Sequence, residues 1–129
     1  LYLGFEVVEE IVADLRRKFE PRKNHFFNTA DVSRDLLPAA DAIFCRDVLT
    51  HLSHALVADA LANFRKSGSR YLIATTFPRG RNDPIRVGAW QQIDLCAAPF
   101  NLPPPLLLIS ESLQKTVKSL GVWSIDSLK

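Results

Sequence analysis

The chain has 129 residues, 47% hydrophobic and 23% charged, which suits one globular domain with a buried core. Its 16 basic and 14 acidic residues nearly cancel, so charge gives no reason to expect a nucleic-acid or membrane partner. The two cysteines, Cys45 and Cys96, have no metal-ligand spacing and no signal peptide precedes them, which predicts a reducing, cytoplasmic setting.

The first part of the chain predicts two strands around a helix. Residues 1–8, LYLGFEVV, are apolar and aromatic, as expected of a buried strand. A helix is predicted over residues 8–19, where apolar residues recur at the spacing of one helical face and acidic and basic residues lie in the first and last turns. The run HFFNTA then predicts a second strand that ends at Asp31.

The rest of the chain continues the alternation. DAIFC predicts a third strand, and a helix over residues 53–66 begins at the N-cap Ser53 and ends near Gly68. YLIATTF predicts a fourth strand, and PPPLLLI and LGVWSI predict a final antiparallel hairpin. Apolar strands that alternate with helices indicate a three-layer α/β domain with a mostly parallel sheet, and residues 1–129 contain no linker long enough to mark a second domain.

Residues 79–104 break this pattern, since they are rich in Pro, Gly, Arg and Asn. So long an irregular stretch within a compact domain is usually a functional loop or lid. Trp90 and Phe100 within it either cover the core or close over a substrate, and the sequence leaves both interpretations open.

Residues 43–55, IFCRDVLTHLSHA, collect several chemically active side chains. Asp47, His51 and His54 have spacings that would let a helix point them one way, but there is no H-E-x-x-H or paired-cysteine pattern, so we predict no metal site. Cys45 ends an apolar strand, where a cysteine is usually a small core residue, and no nucleophile elbow surrounds it.

Three segments in order resemble the class I S-adenosylmethionine-dependent methyltransferases: DLLPAADAIFCRDVLTHLS, SRYLIATTFP and FNLPPPLLLI. The resemblance covers nearly the whole chain. It implies a Rossmann-like sheet with strand order 3-2-1-4-5-7-6, strand 7 antiparallel, and S-adenosylmethionine bound across the carboxyl ends of the strands.

The same resemblance assigns residues to the cofactor. Glu6, at the end of the family's strand 2, would accept hydrogen bonds from the ribose hydroxyls. Asp31 would contact the adenine amino group at the end of strand 3, and Val32 would lie beside the ring. Cys45 and Arg46 would lie at the end of strand 4, below the methyl donor.

Methyl transfer is an in-line attack on a sulfonium carbon, so the protein mainly positions two molecules, and a base helps when the attacking atom carries a proton. Asp47 and His51 are the predicted base or substrate contacts, and their structural alternatives are a helix-terminal charge and a packed histidine. His54 is expected on the solvated face of its helix. The segment CRDV differs from the [DN]-P-P-[YF] motif used on nucleic-acid bases, which favours a small-molecule or glycan-like acceptor.

One departure from the family concerns its first strand and Gly-rich turn, which should precede Leu1; the only early glycine, Gly4, lies inside a strand. The sequence also lacks methionine, so we interpret it as part of a longer protein. Without the central strand, strands 2 and 4 should pair directly or be bridged by a second chain in a homodimer, and this chain should bind S-adenosylmethionine poorly or not at all.

Two other functions stay open. A non-catalytic nucleotide-binding or interaction module could use the same truncated sheet. A nucleotide-binding oxidoreductase would need its own Gly-rich fingerprint, which is absent here, and fits the later motifs poorly.

Overall fold

The computed structural model describes residues 1–84, 89–111 and 117–128. The described elements are two α-helices, six strands and two short 3-10 turns; in chain order they are β1 (Tyr2–Glu6), α1 (Glu9–Phe19), β2 (His25–Thr29), β3 (Ala42–Cys45), the turn Leu49–His51, α2 (His54–Lys66), β4 (Tyr71–Thr76), β5 (Leu107–Ser110), β6 (Ser119–Ser124) and the turn Ile125–Ser127. Both predicted helices are confirmed to within one residue.

The strands form two sheets. β1 and β2 pair in parallel, from Tyr2 opposite His25 to Glu6 opposite Thr29. The other sheet has the order β3-β4-β6-β5, in which β3 and β4 are parallel and β6 runs antiparallel to both of its neighbours. The predicted α/β architecture, mostly parallel with a C-terminal antiparallel hairpin, is confirmed.

A groove of about 460 Å³ separates the two sheets. Residues 1–5 line it on one side and residues 37–45 on the other, so it lies between the free edges of β1 and β3. β1 and β3 correspond to strands 2 and 4 of the family. Of the two predicted arrangements, direct pairing of these strands is therefore wrong, and bridging by a second chain stays a prediction. Tyr2 and Phe44 keep 53% and 63% of their surface exposed, because neither strand has a neighbour on that side among the described residues.

The hydrophobic core lies beneath the four-stranded sheet. Trp123 of β6, Leu72 of β4, and Val57 and Phe64 of α2 are fully buried and belong to one cluster. α1 is covered less completely, since Val12 is 1% exposed whereas Ile11 of the same apolar face is 45% exposed. This helix packs on β1 and β2, and a two-stranded sheet is too narrow to cover the whole face.

α2 also positions the segment that follows β2. The helix begins where Ser53 Oγ accepts a hydrogen bond from the Leu56 amide at 3.3 Å, as the N-cap pattern predicts. Farther along, the Asn63 side chain donates to the carbonyls of Val32, at 2.9 Å, and Asp35, at 2.6 Å. Because Asn63 is buried, these bonds fix residues 32–35 against the helix.

Candidate active site

The predicted site residues lie at the carboxyl ends of parallel strands, the edge at which open α/β sheets bind ligands. Glu6 ends β1 and Asp31 follows β2, so these two carboxylates share the edge of the two-stranded sheet. Cys45, Arg46 and Asp47 lie at the corresponding end of β3, across the groove. Of the predicted site residues, Val32 and Cys45 line the groove. Glu6, Asp31, Arg46 and Asp47 lie at or just after the ends of the strands on either side of it.

The Glu6 side chain contacts the backbone of the two residues that follow it. Its Oε1 accepts hydrogen bonds from the amides of Val7, at 2.8 Å, and Val8, at 3.2 Å. Val8 is the N-cap of α1 and provides no side-chain cap. The carboxylate therefore stabilises the helix N-terminus, where a negative charge also interacts favourably with the helix dipole.

Asp31 is held in a tight turn after β2. Its Oδ1 accepts hydrogen bonds from the amide of Ser33, at 2.9 Å, and from its hydroxyl, at 2.6 Å. These two bonds to Ser33 lower the pKa of Asp31, so the side chain is a carboxylate at neutral pH. Val32 is half-buried, packs against the core and lines the groove beside this turn.

Cys45 lies at the boundary between the groove and the core. Its side chain is 4% exposed, and burial raises the pKa of its thiol to about 12. The thiol therefore stays protonated at neutral pH, which agrees with a small core residue and disfavours a nucleophile.

Alkylation should distinguish the two thiols. We expect iodoacetamide at about pH 8 to modify Cys96, which is exposed, at least about tenfold faster than Cys45 in the folded protein, because reaction requires an accessible thiolate. Burial also raises the pKa of Cys96, so its rate should increase as the pH rises. Peptide mass spectrometry before and after unfolding in urea measures both rates. Equal rates in the folded protein would contradict the burial of Cys45.

Asp47 has an unusual backbone and several partners. Its φ is +57°, in the left-handed region, and its amide donates to Thr75 Oγ1 on the neighbouring strand β4 at 2.8 Å. Lys118 Nζ lies 2.7 Å from Oδ2, and Arg46 Nη1 lies 3.3 Å from the same oxygen. The hydrogen bond from Lys118 is the main cause that lowers the pKa of Asp47, which makes this carboxylate a weaker base.

The two histidines of this region differ in environment. His51 is exposed in the 3-10 turn that follows β3. His54 is half-buried, in edge-to-face contact with Phe100 at 5.3 Å, and lines a cavity of about 350 Å³ beside α2. The expectation that His54 faces solvent is wrong, because the segment around Phe100 folds back over the start of the helix.

Residues 79–104 are irregular in the parts that the structure describes, 79–84 and 89–104. Ile93 and Leu95 are fully buried in the core, and the Leu95 amide donates to Thr76 Oγ1 at 3.1 Å. Trp90, by contrast, is 54% exposed and touches Phe77 edge to face. The later part of this segment is thus a packed part of the domain, and the predicted lid role stays with the exposed region around Trp90.

Sequence analysis missed Thr75, Glu111 and Lys118, which surround Arg46 and Asp47. The threonine pair in YLIATTFP was the one available signal, since polar residues in an apolar strand often have a specific hydrogen-bonding partner. Within the described ranges, no group of three or more His, Cys, Asp or Glu could hold a metal ion. Among those residues, no helix has the length and apolar character needed to cross a membrane.

The strand order, with its antiparallel β6 between β4 and β5, is that of a Rossmann-like fold which solved S-adenosylmethionine-dependent methyltransferases share. Magnesium protoporphyrin IX methyltransferase (ChlM) from Synechocystis PCC 6803 with bound SAM superposes with a TM-score of 0.71, 18% identity, and 96% of this chain and 59% of that chain covered. The same enzyme with bound SAH superposes with a TM-score of 0.68 and 15% identity, and 96% of this chain and 64% of that chain are covered.

PigF with SAH is also similar, with a TM-score of 0.64, 15% identity, and 95% of this chain and 42% of that chain covered. These comparisons confirm the predicted class I methyltransferase fold. The chain spans less than two thirds of the length of either ChlM structure. No protein-family model matches the sequence, and no curated protein matches it.

Proposed function

We propose that this chain is part of a longer S-adenosylmethionine-dependent methyltransferase that acts on a small-molecule or glycan-like acceptor. The observation that carries the proposal is the pair of carboxylates, Glu6 and Asp31, at the ligand-binding edge of a fold whose similar structures hold SAM or SAH. A cytoplasmic setting is part of the proposal and is supported by the two free cysteines.

The proposed cofactor contacts follow from the positions of the residues. The Glu6 carboxylate accepts hydrogen bonds from the ribose hydroxyls, which its two oxygens allow, while Oε1 continues to cap α1. Asp31 and Val32, at the turn after β2, hold the adenine. Cys45, which lines the other side of the groove, and Arg46, the next residue, are proposed to lie beside the methyl donor.

S-adenosylmethionine, when bound, would supply an electrophilic methyl group to the acceptor and would be released as S-adenosylhomocysteine. His51 is the proposed group that takes a proton from the acceptor, since it is exposed in the turn that follows β3. Asp47 is proposed to contact the acceptor or to fix its neighbours, because its lowered pKa suits a permanent carboxylate better than a proton acceptor. Trp90 is proposed to shield the reaction from water.

The groove between β1 and β3 supports the proposal that the functional protein is longer than these 129 residues. Among residues 1–84, 89–111 and 117–128, neither strand has a neighbouring strand on the groove side, and a further parallel strand placed there would join the two sheets. We propose that a preceding segment of the polypeptide supplies that strand and the amides that hold the amino-acid end of the cofactor. A homodimer through the same strand edges is the competing way to cover them.

Thermal-shift titration tests this function. The 129-residue chain should show no saturable stabilisation by micromolar S-adenosylhomocysteine. A polypeptide extended ahead of Leu1 should bind it, gaining about 2.7 kcal/mol of stability when the ligand is at 100 times its Kd. NAD⁺ is the control ligand, because the competing oxidoreductase interpretation requires it to stabilise the same protein.

Each result of that titration is decisive. Stabilisation of the extended protein by NAD⁺ alone would contradict a methyltransferase, and stabilisation by neither ligand would favour the non-catalytic module. Saturable binding of S-adenosylhomocysteine by the 129-residue chain would show that the groove needs no further strand. Sedimentation of the same chain as a dimer that binds the ligand would favour the homodimer over the preceding segment.

A further inference from the structure

Four charged side chains of alternating sign form a closed ring at the carboxyl edge of the four-stranded sheet. Arg46 Nε lies 2.8 Å from Glu111 Oε1, and Lys118 Nζ lies 3.8 Å from Glu111 Oε2. The ring closes through Asp47 Oδ2, which lies 2.7 Å from Lys118 Nζ and 3.3 Å from Arg46 Nη1. Each charge therefore touches two of opposite sign.

The ring connects the hairpin to the end of β3. Glu111 and Lys118 flank the β5–β6 connection and are joined by a backbone hydrogen bond of 2.9 Å. β6 pairs with β4, whose Thr75 accepts a hydrogen bond from the Asp47 amide. The two hairpin residues thus reach past β4 to the end of β3.

The ring is partly shielded from water. The side chains of Glu111 and Lys118 are 18% and 26% exposed, against 46% for Arg46. Glu111 Oε2 is buried without a hydrogen-bond partner in the described part of the chain, so its contact with Lys118 is ionic. Partly buried pairs are screened less by salt than exposed ones. The ring is therefore better suited to fixing geometry than an ordinary surface ion pair.

We propose that Glu111 and Lys118 are positioning residues of the candidate active site: they hold Arg46 and the left-handed Asp47 in place beside the bound methyl donor. The proposal rests on the proposed function for the ligand, whereas the geometry of the ring stands on the contacts above. The ring and the hydrogen bond to Thr75 together favour the left-handed conformation of Asp47, which a non-glycine residue adopts at a cost in energy.

The ring has a pH dependence of known sign. The charged groups facing Asp47 are Lys118 and Arg46, and these two, Lys118 first through its hydrogen bond, lower the pKa of Asp47 in the folded state. Glu111 lies beyond them and contacts both. Stability from the ring is therefore fully present above the unfolded-state pKa of aspartate. It is lost as the pH falls through the lower folded-state value.

Carbon NMR titration of the carboxyl groups and amide exchange test the ring in the 129-residue chain. Lys118→Gln should raise the pKa of Asp47 and speed exchange of its amide by about tenfold, the size expected for coupled contacts, while Lys118→Arg should preserve both. Lys66→Gln, on the exposed end of α2, is the matched control and should change neither. If the pKa of Asp47 is unchanged in Lys118→Gln, the ion pair between Lys118 and Asp47 does not form and the ring is contradicted.

Affinity for S-adenosylhomocysteine in the extended protein tests the positioning role. Glu111→Gln and Lys118→Gln should each weaken binding by about tenfold, and Lys118→Arg should restore it. If both variants bind S-adenosylhomocysteine with normal affinity although the pKa of Asp47 has shifted, Glu111 and Lys118 are not positioning residues. If the unmodified protein does not bind the ligand at all, the proposed function and the positioning role that rests on it both fail, while the titration still decides the ring.

Discussion

Replacing Trp123 with alanine should lower the free energy of unfolding by about 3–5 kcal/mol, the range for removal of a large buried aromatic side chain. The indole is fully buried in the core cluster. Its Nε1 donates to the Pro103 carbonyl at 2.8 Å, which ties the segment before β5 to β6. The ring also lies against Gly121, where an added Cβ would approach within 2.2 Å of it, so the strand and the indole are fitted to each other.

Trp90→Ala provides the matched control, because the indole of Trp90 is 54% exposed and its removal leaves no core cavity. Urea unfolding followed by circular dichroism measures both variants, since removing tryptophan changes the fluorescence signal itself. We expect a change within about 0.5 kcal/mol for Trp90→Ala, as is usual for surface substitutions. Equal losses in the two variants would mean that the core is not organised around Trp123.

Glu6→Ala should weaken S-adenosylmethionine binding in the extended protein by about 1.5–3 kcal/mol, the range for hydrogen bonds to a charged group. This corresponds to a Kd larger by roughly 10-fold to 150-fold. The reason is the loss of the carboxylate at the end of β1, which we propose accepts hydrogen bonds from both ribose hydroxyls. Isothermal titration calorimetry measures the change directly.

The structural duty of Glu6 has to be separated from its proposed ligand contact. Glu6→Gln keeps an oxygen that can accept from the amides of Val7 and Val8, so it should preserve the cap while losing the charge-assisted bonds to ribose. Glu9→Gln, in the first turn of α1, is the charge control and should leave affinity unchanged. Full affinity in Glu6→Ala would remove the residue from the cofactor site.

Local patterns predicted most of the architecture because their causes lie within a few residues. The apolar period of α2, its Ser53 cap and Gly68, whose φ is +72°, specify that helix without reference to the rest of the chain. The contact between Asp47 and Lys118 joins residues 71 positions apart in sequence. It depends on the register of β6 against β4, which hydrophobic pattern alone does not set.

The positions of the candidate site residues were predicted in part for the same reason. The ends of β1, β2 and β3 could be located from their apolar runs, so Glu6, Asp31 and Cys45 were correctly placed at or just after strand ends, and their roles stay predictions. The environment of His54 could not be predicted, because its contact Phe100 belongs to an irregular segment that has no periodic sequence pattern. The partners of Asp47 could not be predicted either, because Lys118 and Thr75 lie far from it in sequence, and the hydrogen bond from Lys118 lowers its pKa.

The open groove also divides the molecule energetically. Every fully buried member of the main core cluster lies at or after Cys45, whereas Val12, Phe27 and Ala30 are buried apart from it in the β1–α1–β2 unit. A unit that shares little core with its neighbour can open without unfolding it. Protection of backbone amides from hydrogen exchange should therefore fall into two levels, lower for residues 2–30 than for α2 and β4. A strand bound in the groove would join the two units, so that they unfold in a single cooperative transition.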